Sequence, residues 1–377
     1  MNRLILLTFA AWMLVSGGFA QILREDSNQG TLIEQMFDTA DKLINAVSSD
    51  HWTVIPALTY SPETSIGIGA RAIKLFRPIG EGAASTRPST VPITLLYTLN
   101  QQLLFTTELN LWQADNVGYL NSRLELADFP FKFYGFGNSP TKGEFYASRY
   151  AHFHLLYERK VAKGVYIGPV YEFRQEDIYR TEPTGMLESG NVRGSSGQVL
   201  SGVGGVLNYD TRENIFQPTS GAYHQARLML FSPVIGSSYS FAQLKVDFRK
   251  YFSINPNQVL AVQAWMSLTA GAAPFQQVSL IGGSDRMRGY FEGKYRDRHA
   301  MVFQSEYRLR IYRNLGLVFF GSTGQVTSAP DQFRFSKFKV SGGMGFRYKI
   351  NEEGLSIRLD FGVGDQFAYY FGLNEVI

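Results

Sequence analysis

Cysteine is absent from the 377 residues. Disulfides, thiolate nucleophiles and thiolate-held metals are therefore excluded, while the compartment stays open. Charge is scarce, with Asp, Glu, Lys and Arg at 18 % against about 25 % in soluble domains. Neither sign prevails, since 36 basic residues face 32 acidic ones for a net charge of +4. No Lys/Arg cluster occurs, so no nucleic-acid partner is expected. After the first twenty residues no long apolar run appears, and the run within them is too short for a membrane-spanning helix of about 20 apolar residues. A phosphate-cradling glycine motif and a Gly-x-Ser-x-Gly elbow are also missing. Nothing aligns a hydrolytic triad. An enzyme is not expected, and no cofactor is implied.

What is plentiful points elsewhere. Hydrophobic residues make up 45 %, with 29 Phe, 21 Tyr and 37 Gly. Such a chain is not disordered, because disorder needs low hydrophobicity and high net charge. At the start, Arg3 precedes an apolar run from Leu4 to Val15, followed by Ser16, Gly17, Gly18, Phe19 and Ala20. A basic start, a short apolar stretch and a small-residue exit predict a signal peptide over 1–20, with Gln21 as the mature start. Residues 21–50 form the next segment. There Leu32, Ile33, Met36, Phe37, Ala40, Leu43, Ile44 and Val47 recur at helical spacing, which predicts an amphipathic helix over 31–47. Thr31 and Glu34 suit its capping box. The helix could lie on the membrane, plug the interior or dock an unidentified protein partner.

From His51 onward the period is two. Ala242, Leu244, Val246 and Phe248 oppose Gln243, Lys245, Asp247 and Arg249. Met301, Phe303, Tyr307, Leu309 and Ile311 oppose Gln304, Glu306, Arg308 and Arg310. The alternation predicts strands at 51–60, 65–76, 90–99, 102–113, 117–127, 146–160, 163–178, 198–210, 219–231, 238–253, 257–269, 299–311, 314–327, 338–349, 354–363 and 366–374. Many are long enough to cross a bilayer, which takes about 9–11 tilted residues. Charges of both signs line the polar face, and Tyr150, Tyr157, Tyr312, Tyr369 and Tyr370 fall near strand ends. These cues favour an all-β, sixteen-stranded antiparallel transmembrane β-barrel over 51–377 rather than a soluble sandwich. Tight turns after even-numbered strands and longer loops near 128–145, 179–197, 271–298 and 328–336 would set both termini in the periplasm. His152, His154 and Glu158 lack a fourth ligand and read as a polar wall rather than a metal site. Glycines at 202–205 and 342–345 suit barrel curvature or close packing.

Three motifs then carry a family likeness. Met287-Arg288-Gly289-Tyr290 lies in the sixth outer loop by the strand count. Tyr209-Asp210-Thr211-Arg212-Glu213-Asn214, with Pro218-Thr219-Ser220-Gly221, precedes the ninth strand. Ile357-Arg358-Leu359-Asp360-Phe361-Gly362 lies in the penultimate strand. In order and place, they resemble the outer-membrane assembly superfamily typified by BamA and TamA, also called bacterial surface antigens. The resemblance covers most of 51–377. It implies a loop folded back into the lumen, with Arg288 reaching Glu306. The family's second acidic position falls on Ser322, which could still accept a hydrogen bond. Family members that assemble or secrete proteins carry periplasmic substrate-receiving domains. Here only 21–50 precede the first strand, too few for a domain of about 50 residues, so the likeness is to a barrel-only branch.

The resemblance implies a barrel in the bacterial outer membrane that assists insertion or translocation of proteins or lipids. A weak seam between Thr53–Tyr60 and Gln366–Phe371 would be its working part. A gated channel or a structural barrel is the alternative. The expected partners are outer-membrane lipid and, during biogenesis, the host's barrel-assembly machinery.

Overall fold

The computed structural model describes residues 52–78, 82 and 85–377, with the side chains of 55–58 left aside. The signal peptide over 1–20 and the helix over 31–47 lie outside the described residues. Sixteen antiparallel strands form one sheet. They are β1 (Trp52–Ser61), β2 (Ser65–Phe76), β3 (Ser89–Thr98), β4 (Leu103–Trp112), β5 (Gly118–Phe133), β6 (Glu144–Ala162), β7 (Val165–Thr181), β8 (Gly197–Asp210), β9 (Gly221–Phe231), β10 (Phe241–Asn255), β11 (Gln258–Gly271), β14 (His299–Tyr312), β15 (Leu315–Thr327), β16 (Lys339–Lys349), β17 (Ser356–Val363) and β18 (Phe367–Leu373). Two short strands, β12 (Ser279–Ile281) and β13 (Tyr295–Asp297), make a separate hairpin inside the 272–298 loop.

Each strand of the sheet pairs with the strands next to it in sequence, except that β11 pairs with β14 across the 272–298 loop. The strands fall where the two-residue period places them, with two notable differences. β5 runs on to Phe133, and β6 begins at Glu144. The sequence pattern predicts a loop near 128–145 instead, and Pro130 lies inside the longer β5. The β4 ladder ends at Asp128, so Pro130 sits on a stretch paired only with β6. On such a free edge a missing N–H breaks no ladder on the open side. The β12–β13 hairpin was invisible because three residues are too few to show a period.

Burial departs from that of a soluble protein on both faces of the sheet. Arg288, Glu306 and Asp360 are fully buried, while Ile68, Val340 and Phe367 are each more than half exposed. The exposed apolar rows include Val203 and Leu207 on β8 and Leu228 and Leu230 on β9. The polar rows of the same strands face inward. Such an outer surface suits a lipid solvent.

The first and last strands meet at Tyr60 and Tyr369, whose rings stack at 3.7 Å. No hydrogen-bonded register joins β1 to β18 among the described residues, whereas β1 and β2 pair over ten residues. Connections alternate between two ends of the sheet. One end carries the loop 272–298, and the other carries the turns at 163–164, 256–257 and 313–314.

Candidate functional site

The site is built where the 272–298 loop lies against the inner face of β14–β18. Alternation turns Gln304, Glu306 and Arg308 of β14 inward, together with Arg347 of β16 and Arg358 and Asp360 of β17. Glycine makes room for the loop on this wall. A Cβ on Gly362 would lie 2.9 Å from the Arg288 carbonyl carbon, and one on Gly345 would lie 2.0 Å from Asp360 Oδ1.

The loop is fixed by its backbone as well as by its charge. Met287 has φ +62, a left-handed conformation that a non-glycine residue holds only when its surroundings demand it. Its N–H points to Gln304 Oε1 at 3.4 Å, and Gln304 Nε2 donates to the Asp285 carbonyl at 2.9 Å. Gly289 N–H donates to Tyr370 Oη at 3.0 Å. The Gly289 carbonyl accepts from Gln366 N–H at 3.0 Å. Tyr290 Oη donates to the Val340 carbonyl at 3.0 Å. Met287 and Tyr290 pack in an apolar cluster with Trp265, Ile281, Tyr295 and Val302.

Arg288 is fully buried and forks between two acids. Nη2 lies 2.6 Å from Glu306 Oε1, and Nη1 lies 2.5 Å from Asp360 Oδ2. Its guanidinium carbon sits 3.5 Å from the Phe320 ring centre. A planar, always-charged fork suits this double task in a way that Lys would not. Each acid also holds a second Arg. Glu306 pairs with Arg308 at 3.1 Å, and Asp360 pairs with Arg347 at 2.5 Å. Arg358 reaches Asp285 at 3.2 Å. Charges this deep are tolerable only when paired and hydrogen-bonded.

Glu306 therefore stands beside Arg288, and the second acid is Asp360 rather than a group at position 322. Ser322 lies in register with Gln304 and Ser341, and its Oγ is buried with no hydrogen-bond partner. Ser322 thus accepts no hydrogen bond from the loop. Asp360 was visible in the penultimate-strand motif, and its inward register could have flagged it. Its meeting with Arg288 depends on how the sheet folds round, which no local pattern encodes.

At the other end, Asp210 accepts from Arg212 Nε at 3.0 Å and from Arg87 Nη1 at 2.6 Å. Gly221 has φ +87, and a Cβ there would lie 2.2 Å from the Thr211 carbonyl oxygen. The Pro218 carbonyl accepts from Arg308 Nη1 at 3.1 Å. Arg308 thus links this turn to Glu306 and, through it, to Arg288. On the far wall, His154 Nδ1 lies 3.3 Å from Glu172, which also pairs with Arg227 at 2.9 Å. Among the described residues no group of acids and histidines is placed to hold a metal.

Residues 100–373 match the Omp85 superfamily domain. Similar solved structures include BamA from Haemophilus ducreyi lacking POTRA domains 1-3, with TM-score 0.58 and 11 % identity over 87 % of this chain and 70 % of that one. CdiB from Acinetobacter baumannii gives 0.55 and 10 % identity over 86 % and 59 %. CdiB from Escherichia coli gives 0.54 and 9 % identity over 87 % and 63 %. At such identities the likeness is one of fold. No curated protein matches the chain significantly.

Proposed function

This chain belongs to the Omp85 superfamily, and from that premise we propose that it is an outer-membrane β-barrel that helps insert or translocate proteins or lipids. The single observation that carries the reading is the fully buried Arg288, forked between Glu306 and Asp360. It latches the 272–298 loop to the strands beside the β1/β18 junction. The junction itself has stacked rings but no ladder among the described residues. A stiff, latched wall next to a weak seam lets the seam part while the rest of the sheet keeps its shape. In this reading the short turns and both termini face the periplasm, and residues 1–20 are removed as a signal peptide. The host's own barrel-assembly machinery would place the protein in the membrane.

The absence of cysteine makes the test clean. Tyr60→Cys with Tyr369→Cys would join the two strands through one disulfide. Oxidation should abolish insertion of a reporter barrel into proteoliposomes, and reduction should restore it. Full activity in the oxidised protein would overturn the proposal.

A further inference from the structure

The outer face of the sheet changes character between β3–β4 and β5–β7. On β3 and β4 the outward row stays apolar to the hairpin tip, with Leu95, Tyr97, Leu99 and Leu103 all exposed. The β4 ladder ends where Leu103 meets Asp128, while β5, β6 and β7 run on past it. An apolar tip therefore stands beside a taller wall.

At and above that level the wall is charged. Asp128 stands two residues beyond the exposed Leu126, on the same outward row. It lies in register with Arg149, which lies in register with Asp177. Arg149 Nε donates to Asp128 Oδ2 at 2.9 Å, and Tyr179 Oη donates to Asp128 Oδ1 at 2.6 Å. A bulge allows the second contact. Ser148 faces Ile178 and Ala147 faces Arg180, so Tyr179 is the extra residue, re-aimed outward. The Arg149 guanidinium carbon lies 4.5 Å from the Tyr179 ring centre, and Lys132 Nζ lies 4.7 Å from the Phe145 ring centre. Arg149 still keeps 66 % of its side chain exposed. Below the charges is a groove of about 560 Å³, with Leu95, Leu103, Phe105 and Leu126 on its apolar side. Ala151, in register with both Leu126 and Gln175, leaves the space between them.

Depth and chemistry together name an occupant. Asp128 lies ten residues along β5 from Gly118 at the short-turn end. At about 3.3 Å per residue and a tilt of about 40°, that reaches the edge of an apolar band about 25 Å tall. The charges thus stand at headgroup level, and the groove opens at the depth of acyl chains. Asp128 has both oxygens occupied, and Glu182 Oε2 accepts the Phe145 N–H at 2.9 Å. Lys132, Arg149 and Arg180 supply cations on this face, and such groups suit phosphate. Asp177, beside Arg149, would repel a bare phosphate but accepts from hydroxyls.

We infer that the outer face of β5–β7, with the β3–β4 tip, is a binding site for a phosphorylated glycolipid. Its phosphate meets Arg149, Arg180 and Lys132, a sugar hydroxyl donates to Asp177, and an acyl chain lies in the groove at Ala151. The inference rests on the outer-membrane reading, but its test is one of binding alone, so its failure leaves the disulfide test of insertion untouched.

Purified protein in detergent is titrated with diphosphoryl lipid A and with dioleoyl phosphatidic acid, and bound lipid is counted by native mass spectrometry. Lipid A should bind at least fivefold more tightly than phosphatidic acid, which has the phosphate but no sugar. Arg149→Ala should weaken lipid A binding at least fivefold, and Ala151→Phe, which fills the groove, at least threefold. Arg159→Ala removes an exposed arginine at the other end of β6 and should leave the affinity unchanged. Equal affinity for the two lipids, no loss in Arg149→Ala or in Ala151→Phe, or the same loss in Arg159→Ala would each overturn the inference.

Discussion

The wall of β14–β17 and the wall of β5–β7 are made by the same alternation, yet their charges live in different solvents. Arg288, Glu306 and Asp360 have no exposed side-chain surface. Across the interior, Arg123 pairs with Glu125 while 45 % of its side chain stays exposed. Tyr150 and Arg174 extend the second network, with the guanidinium carbon 3.9 Å from the ring centre. What differs is the cover. The 272–298 loop covers the Arg288 network, whereas Arg123 on the other wall keeps nearly half of its side chain open. An exposed pair is worth about 0–1 kcal/mol, whereas stripping one partner from a buried pair costs about 3–5 kcal/mol. The interior is thus a stiff half and a soft half, and the latch belongs to the stiff one.

The sharpest way to break that contrast is Arg288→Ala. It leaves two acids facing the space it filled, and it should destabilise the loop and its wall by about 3–5 kcal/mol. Urea unfolding in lipid would measure the loss, and proteolysis should begin within 272–298. Glu306→Gln and Asp360→Asn each remove one arm of the fork and should cost about 1–3 kcal/mol. Because both act through Arg288, the double variant should cost measurably less than the sum of the singles. Ser322→Asp sharpens the comparison from the other side. It returns an acid to the position that the family pattern favours, but the two Arg288 nitrogens already face Glu306 and Asp360. It should not restore loop protection in an Asp360→Asn background, and restoration would show that the fork can rewire.

Arg123→Ala on the wet wall should change stability by no more than about 0.5 kcal/mol. The smallest effect is one of pH. Glu63, in the β1–β2 turn, is buried and accepts the Glu292 N–H at 2.7 Å. Burial raises its carboxyl above the ordinary 4.5. The folded chain therefore holds that proton more tightly than the unfolded one, so the contribution is fullest below 4.5 and falls as pH rises through the raised value. Loop protection followed from pH 4 to 8 should decline slightly, and Glu63→Gln should flatten the profile.

Most strands were legible because two opposite faces impose a strict period of two on long segments. Glu306 was legible for the same reason, since its place among Gln304 and Arg308 fixes it inward. The upper part of β5 was not legible, because a strand tolerates Pro130 only where the β4 ladder has stopped. Asp360 was legible as an inward residue but not as a partner of Arg288, since 72 residues separate them. The meeting of Glu375 with Arg347 and Arg308 was not legible at all. It depends on β10, β11, β14 and β16 facing one interior, which is a property of the sheet as a whole.

The central claim is that a buried Arg288 holds the 272–298 loop against the β14–β17 wall, and conductance in planar bilayers tests it most directly. The purified protein should be closed or pass only small currents, and Arg288→Ala should pass large and fluctuating ones as the loop leaves the wall. Equal conductance in the two proteins, whether open or closed, would contradict the account.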